Sequence, residues 1–295
     1  MSDHAALFER HRRRLHGLAY RMLGSVGEAE DAVQDTYLRW HGQSLADLRN
    51  PEAWLVTACT RLCIDRLRAA KVERAAYTGP WLPEPVLAAE ADFEVELAES
   101  LSLAFLLVLE RLSPAERAAY LLRQAFDYDY PAIAAILGKS EAACRQLVSR
   151  AQKHVQADRP RFGAADNQHQ AEARDRARDL ARRFAQAAES GDVAAFAGLL
   201  ADDAMIWSDG GGKARAALNV IHGADRCARF FAGLARKNGP GFSRQFCRVN
   251  GQPGFVVFHA GVPVSVFTFG IEQGRIRAIF VVRNPDKLAR LDLIH

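Results

Sequence analysis

In "DYPAIAAILGKSEAACRQLVSRAQKHV" the side chains able to do chemistry gather on one face: Glu141, Arg145, Gln146, Ser149, Arg150 and Lys153, all of types that hydrogen-bond base edges or phosphates. The opposite face carries Cys144, Leu147, Val148 and Ala151, and a shorter helical run from Pro131 turns Ile133, Ile136 and Leu137 inward. Gly138 makes the turn and Ser140 can cap the second helix. The spacing is that of a helix-turn-helix; a plain helical hairpin with a solvated face is the alternative. A second stretch, "DGGGK" at 209 to 213, invites comparison with a phosphate loop. That pattern needs glycine at 207 and Ser or Thr after the lysine, where this chain has Trp207 and Ala214, so it reads as a glycine-rich turn after a strand. The five cysteines (59, 63, 144, 227 and 247) form no CxxC pair, so neither a disulfide framework nor a metal site is expected. Cys59 and Cys63 stand at i,i+4 in a helical pattern and suit core packing.

The elements that must position these groups follow from periodicity. Residues 5 to 75 read as helix nearly throughout: in "AEDAVQDTYLRW", Val33, Tyr37 and Trp40 share one face, while Glu30, Asp31, Gln34, Asp35 and Leu38 lie off it. Asn50-Pro51 opens the next helix, which buries Trp54, Leu55, Ala58 and Leu62 and leaves Arg61, Arg66, Arg68 and Lys71 outside. "YTGPWLPEP" (77 to 85) has the prolines of an extended linker, yet it carries Trp81 and Leu82. A helical stretch is expected from about 91, and Ser113-Pro114-Ala115-Glu116 is a capping box opening another helix. "RPRFGAADNQHQ" (159 to 170) loses apolar periodicity and reads as a second linker. Beyond it come two helices and a strand, a third helix, and then three or four β-branched and aromatic runs between glycine turns. Helices followed by such a meander predict an α+β domain with a sheet wrapped on helices.

Composition bounds the class. The 49% hydrophobic and 25% charged fractions are those of a globular protein, long enough for two or three domains. No run reaches the roughly 18 apolar residues of a membrane helix, and the basic N-terminal cluster precedes no signal-like apolar core, so a cytoplasmic protein without membrane partners is expected. The net charge of +4 hides an asymmetry: residues 76 to 110 hold seven acids and no Lys or Arg, whereas 111 to 162 hold nine Lys or Arg against five acids. An acidic spacer feeding a basic segment suggests nucleic acid at the basic part.

These segments, taken together, resemble the extracytoplasmic-function class of bacterial RNA polymerase sigma factors. "AEDAVQDTYLRW" resembles the helix that docks on the polymerase clamp, which implies core-binding roles, against the beta and beta-prime subunits, for Asp31, Gln34, Asp35 and Leu38. "NPEAWLVTACTRLCIDRLR" resembles the region engaging the −10 element, which implies DNA-binding roles for Asn50, Arg61, Arg66, Arg68 and Lys71; the loop from His41 to Asn50 would help capture an unstacked base. The segment from Leu112 to Gln152 resembles the region engaging the −35 element. There the resemblance implies DNA contacts for Ser140, Glu141, Arg145, Gln146, Ser149, Arg150 and Lys153, with Arg145 suited to guanine and Lys153 to phosphate.

The C-terminal part resembles a SnoaL-like domain, a cone-shaped fold shared with ketosteroid isomerases. Three local signatures match the sigma factors that carry this fusion: "WLPEP" (Trp81, Leu82, Pro83, Glu84, Pro85), "DGGGK" (Asp209, Gly210, Gly211, Gly212, Lys213) and "NPDKL" (Asn284, Pro285, Asp286, Lys287, Leu288). The expected layout is region 2 over 1–75, an acidic linker over 76–97, region 4 over 98–160, a linker over 161–171 and the SnoaL-like domain over 172–295. The fold expectation is multidomain: two all-α sigma domains, then an α+β cone with a curved, mostly antiparallel sheet. The glycine turn becomes a docking loop for the linker, with Lys213 and Lys287 meeting its acids, including Glu84, while Trp81 and Leu82 fill an apolar groove. The resemblance thus implies a promoter-specificity factor, without catalysis or cofactor, controlled by its own C-terminal domain, whose cone is able to hold a small molecule.

Two other readings stay open. A helix-turn-helix regulator with a metabolite-binding domain would bind duplex DNA without core polymerase. An isomerase or cyclase would use Asp209, Trp207, His222, His259 and Arg277 for proton abstraction beside an apolar pocket, although no acid-base pair falls at an interpretable spacing and His259 suits a hydrogen-bonded structural histidine.

Overall fold

The computed structural model describes residues 3–44, 48, 50–88, 102–158, 170–235 and 241–291. The chain divides into two units, one made of residues 1–76 and 108–157, the other of 77–107 and 158–295.

The first unit is helical. Helices α1 (Asp3–Leu23), α2 (Val26–His41) and α3 (Pro51–Ala75) close on a core that includes Leu15, Leu18, Met22, Trp40, Leu55 and Cys59. Side chains set the boundaries: the Ser25 hydroxyl accepts from the Glu28 amide, and Asn50 accepts from Ala53 with Pro51 in the first turn. The Trp40 indole donates to the His4 carbonyl at 2.8 Å, so the ring is buried without an orphaned N–H.

Helix α4 (Leu103–Leu109) leads to α5 (Pro114–Gln124), α6 (Tyr130–Leu137) and α7 (Glu141–Asp158). Ser113 and Glu116 form the reciprocal capping box expected from the sequence. Gly138 ends α6 at φ +62°, the left-handed conformation a glycine turn supplies. Ile133, Ile136, Cys144, Leu147 and Val148 are all buried in this helix-turn-helix. The helical stretch expected from about 91 begins, within the described residues, at Leu103.

One buried cluster joins the two halves of this unit. The Arg117 guanidinium, 2% exposed, donates to the Met22 carbonyl at 2.6 Å and to Glu110 at 2.7 Å, and Arg74 binds the other oxygen of Glu110 and the Leu23 carbonyl. A single carboxylate therefore neutralises two guanidinium groups, and the Met22 and Leu23 carbonyls at the end of α1 each accept from one of them.

The second unit is α+β. Helices α8 (Gln170–Ser190), α9 (Val193–Leu199) and α10 (Ala224–Ala235) pack on a sheet of β1 (Leu87–Ala88), β2 (Leu200–Asp209), β3 (Ile221–His222), β4 (Phe242–Val249), β5 (Gln252–His259), β6 (Val262–Glu272) and β7 (Arg275–Val282), and α11 (Pro285–Leu288) follows. The strand order is β1-β4-β5-β6-β7-β2-β3, antiparallel except for the β2–β7 pair, which is parallel. The linker thus supplies an edge strand that its prolines and shortness had hidden. On the helix-facing side Phe184, Phe196, Phe231, Phe255 and Phe269 interlock with Ile206, Ile279 and Val281; Phe184 meets Phe231 edge-on at 4.9 Å.

Strand alternation puts Trp207, Asp209, Phe280 and Val282 on the other side, with Trp207 stacked on Phe280 at 5.2 Å. All five cysteines are buried free thiols, and among the described residues no helix is long and apolar enough to cross a membrane.

Replacing Glu110 by Ala leaves two guanidinium groups without their shared counter-ion, one of them fully enclosed. We expect a loss of about 3 kcal/mol, read from the urea dependence of amide exchange in α1 and α5. Ser113→Ala, which removes only a cap, should cost about 1 kcal/mol.

Candidate functional site

The sequence points to two kinds of site: nucleic-acid and polymerase surfaces in the first unit, and a linker dock in the second. On α2 the side chains of Asp31, Gln34 and Leu38 are exposed, Leu38 by 61%. Asp35 is half-buried because Arg66 reaches it at 2.7 Å and lies 3.8 Å from Asp31. Arg66, expected to face DNA, therefore braces the carboxylates expected to face polymerase. On α3 Arg68 and Lys71 are exposed, Arg68 pairing with Asp65 at 3.1 Å, while Arg61 donates through Nε to the Ile136 carbonyl at 3.1 Å. Asn50 uses its side chain as the α3 cap. Of the loop from His41 to Asn50, residues 45–47 and 49 lie outside the described residues.

Helix α7 presents Glu141, Arg145, Gln146, Ser149, Arg150 and Lys153 to solvent, and Arg145, Gln146, Ser149 and Arg150 line one shallow hollow. Ser140 caps the helix through the Ala143 amide at 3.2 Å. Glu141 pairs with Arg145 at 3.0 Å, and Arg150 pairs with Glu116 at 3.1 Å.

In the second unit the three signature stretches converge on one carboxylate. Asp209 is fully buried at the end of β2. Its Oδ1 accepts from the Tyr77 hydroxyl at 2.6 Å and the Gly211 amide at 3.1 Å; its Oδ2 accepts from the Leu82 amide at 2.9 Å and the Lys287 ammonium at 2.7 Å. Lys287 also donates to the Leu82 carbonyl and lies 4.3 Å from the Trp81 ring centroid and 5.4 Å from that of Tyr77. Two aromatic faces and a carboxylate thus enclose one ammonium, an arrangement that compensates a buried cation. Asn284 caps α11 through the Asp286 amide and donates to the Tyr77 oxygen at 2.9 Å. Burial, and then the Asp209 carboxylate, push the Tyr77 phenol well above its ordinary pKa, so it stays a donor.

The glycines explain how close these strands come. Gly211 (φ +59°) and Gly212 (φ +73°) adopt a conformation other residues avoid. A Cβ on Gly211 would lie 2.3 Å from the Asn284 amide nitrogen, and one on Gly212 would lie 3.3 Å from Thr78 of the linker. Downstream, Val86 exchanges hydrogen bonds with Asn250, at 3.0 Å to its side chain and 2.8 Å from its amide, and Leu87 and Ala88 then pair with Val249 and Arg248. Leu82, Pro83, Glu84 and Pro85 are buried along this path, and Leu288 is buried beside the dock. Gly210 is also buried, and Pro285 is exposed.

Two expectations change. Lys213 pairs with Asp286 at 2.6 Å, within the C-terminal domain, and Lys287 forms its ion pair with Asp209 and meets the linker through the Leu82 carbonyl. The acidic residues 90 to 99 lie outside the described residues. The proton-transfer candidates do not converge: Asp209 is spent on the linker, Trp207 stacks on Phe280, His222 is exposed on β3, and Arg277 is held by Asp203 and Glu272. His259, expected as a hydrogen-bonded structural histidine, is exposed at the end of β5 against the Phe242 ring. Tyr77 and Asn250 were missed; the only trace of Asn250 in the sequence is the Asn-Gly turn between two strands.

Asp209→Ala strands the Lys287 ammonium, and Lys287→Met strands the carboxylate. Each should weaken linker docking by about 3 kcal/mol, measured as faster amide exchange at Val86, whose own bond to Asn250 is untouched. The double variant should cost clearly less than the sum.

Comparison with known proteins covers both units. The family model Sigma-70 region 2 matches residues 7–72, and Sigma-70, region 4 matches 102–155. The chain is 36% identical over 296 residues to the ECF RNA polymerase sigma factor SigJ of Mycobacterium tuberculosis, covering 95% of this chain and 91% of that protein. It is 30% identical over 295 residues to the probable ECF RNA polymerase sigma factor SigI of the same species, covering 98% and 97%. Among solved structures, crystalline M. tuberculosis SigJ superposes with a TM-score of 0.77 at 32% identity, over 98% of this chain and 100% of that one. With both sigma regions matched in order and the likeness continuing through the C-terminal cone, the chain belongs to the extracytoplasmic-function sigma factors of bacterial RNA polymerase.

Proposed function

We propose that this sigma factor, which binds core polymerase and promoter DNA, is governed by docking of its inter-region linker on its own C-terminal domain. The observation that carries this is the Asp209 carboxylate, which takes donors from Tyr77 and Leu82 of the linker and from Lys287 at once. Residues 76–101 lie between the end of α3 and the start of the region 4 match. With 77–88 held on the sheet, residues 89–101 span at most about 45 Å, so docking removes about half of the linker's free reach. A tethered dock has a high effective concentration, so modest contacts suffice to hold it, and polymerase and promoter compete by favouring the released linker.

In this reading α2 supplies the polymerase contacts, α3 engages the −10 element and α7 reads the −35 element, with the residues named above. The C-terminal domain acts by binding rather than catalysis. The phenylalanine packing between its helices and sheet, and the dispersal of the proton-transfer candidates, support that assignment. The polymerase core supplies nucleotidyl transfer.

Run-off transcription with core polymerase tests the proposal. The full chain should give a promoter-dependent transcript, and Asp209→Ala, Trp81→Ala and a chain lacking the last dozen residues should each raise it several-fold. Unchanged output from all three variants would sink the regulatory reading. A chain stopped near Arg161 reports the activity of the sigma regions alone.

A further inference from the structure

Arg145 projects from the second turn of α7 with its side chain 58% exposed, beside Gln146, Ser149 and Arg150. A free arginine samples many rotamers, and holding it for a base edge costs affinity. Here two groups hold it before DNA arrives. The Glu141 carboxylate, one turn back, binds Nη2 at 3.0 Å, and the Tyr130 ring lies 4.5 Å from the guanidinium carbon. Tyr130 is the first residue of α6, so the ring reaches across the helix-turn-helix to the recognition helix.

The fold does not need this ring. The start of α6 is fixed by the Asp129 side chain, which accepts from the Ala132 amide at 2.9 Å, and by Pro131. The residues α6 buries are Ile133 and Ile136, whereas Tyr130 is half-exposed. Its described ring contacts are two guanidinium groups. Arg123, at 5.6 Å, is tied to the Tyr128 carbonyl and to Asp127. Arg145 is the one that faces solvent on the recognition helix.

We propose that Tyr130 is a positioning residue for promoter recognition: its ring and the Glu141 carboxylate pre-orient Arg145 for one base pair of the upstream element. This rests on the reading that α7 reads that element. A guanidinium braced by an aromatic ring and by a carboxylate at Nη2 keeps its remaining N–H groups, those of Nη1 among them, available to the acceptors of guanine.

The test uses the full chain with core polymerase and promoters in which each base pair of the upstream element is varied in turn. Arg145→Ala should flatten discrimination at one base pair. Tyr130→Ala should lower discrimination at that same base pair about three- to tenfold and leave the others unchanged, the range set by one exposed cation–π contact and one pre-ordered side chain. Tyr130→Phe should restore it, and Tyr130→Ala should add nothing in the Arg145→Ala background. If Arg145→Ala is selective but Tyr130→Ala is neutral, or lowers every promoter equally, or is not rescued by Phe, the positioning role is wrong while the reading of α7 stands. If Arg145→Ala alters no position, that reading of Arg145 fails and the proposal fails with it.

Discussion

The Asp209 carboxylate is fully buried and ionised groups do not stay buried alone: removal from water costs several kcal/mol unless hydrogen bonds and an opposite charge replace the lost solvation. At the end of β2 no single segment can meet that demand. The four donors come from Tyr77 and Leu82 in the linker, Gly211 in the glycine loop and Lys287 in the final turn of helix. Each segment is placed by the others. Lys287 needs the carboxylate and the aromatic faces of Trp81 and Tyr77, and Gly211 and Gly212 must lack side chains for Asn284 and Thr78 to come near. A linker that looks free in the sequence is fastened because it satisfies a charge belonging to another domain.

The first unit repeats the device with the opposite sign. Arg117 is enclosed, and Glu110 together with the carbonyl of Met22 makes its burial tolerable, while Arg74 shares the same carboxylate. Each cluster also joins partners far apart in sequence, Arg117 with Met22 and Lys287 with Asp209 and Leu82, and so acts as a clasp between segments whose local propensities say nothing about one another. The charges available to partners are of the other kind. Asp31, Gln34 and Leu38 on α2, and Arg145, Gln146, Ser149 and Arg150 on α7, stand on helix faces open to water, the faces to which the proposed reading assigns polymerase and DNA. Burial thus separates charges that hold the protein together from charges available for binding.

The cone shows the same separation in its apolar groups. Phenylalanines fill the space between helices and sheet, and the opposite side of the sheet, with Trp207 stacked on Phe280, carries Asp209 and hence the linker. Among the described residues the two sides of the sheet are thus differently employed, and His222, exposed on β3, and Arg277, held by Asp203 and Glu272, share no common centre.

Much of this was determined by the sequence alone, because it depends on neighbours within a few residues. Helical periodicity set α1 to α3 and the helix-turn-helix, Ser113 to Glu116 and Asn50-Pro51 marked their helix starts, and β-branched runs between glycine turns marked β4 to β7. The three signature stretches were legible as words, though not as a sentence. Only the tertiary structure decided that Lys213 pairs with Asp286, that Lys287 and Tyr77 meet on Asp209, that β2 and β7 run parallel, and that the linker adds a strand through Asn250. The physical reason is that a buried charge and an open sheet edge accept any donor of suitable geometry, however distant along the chain, and which donor arrives is fixed by the packing of whole domains rather than by local spacing.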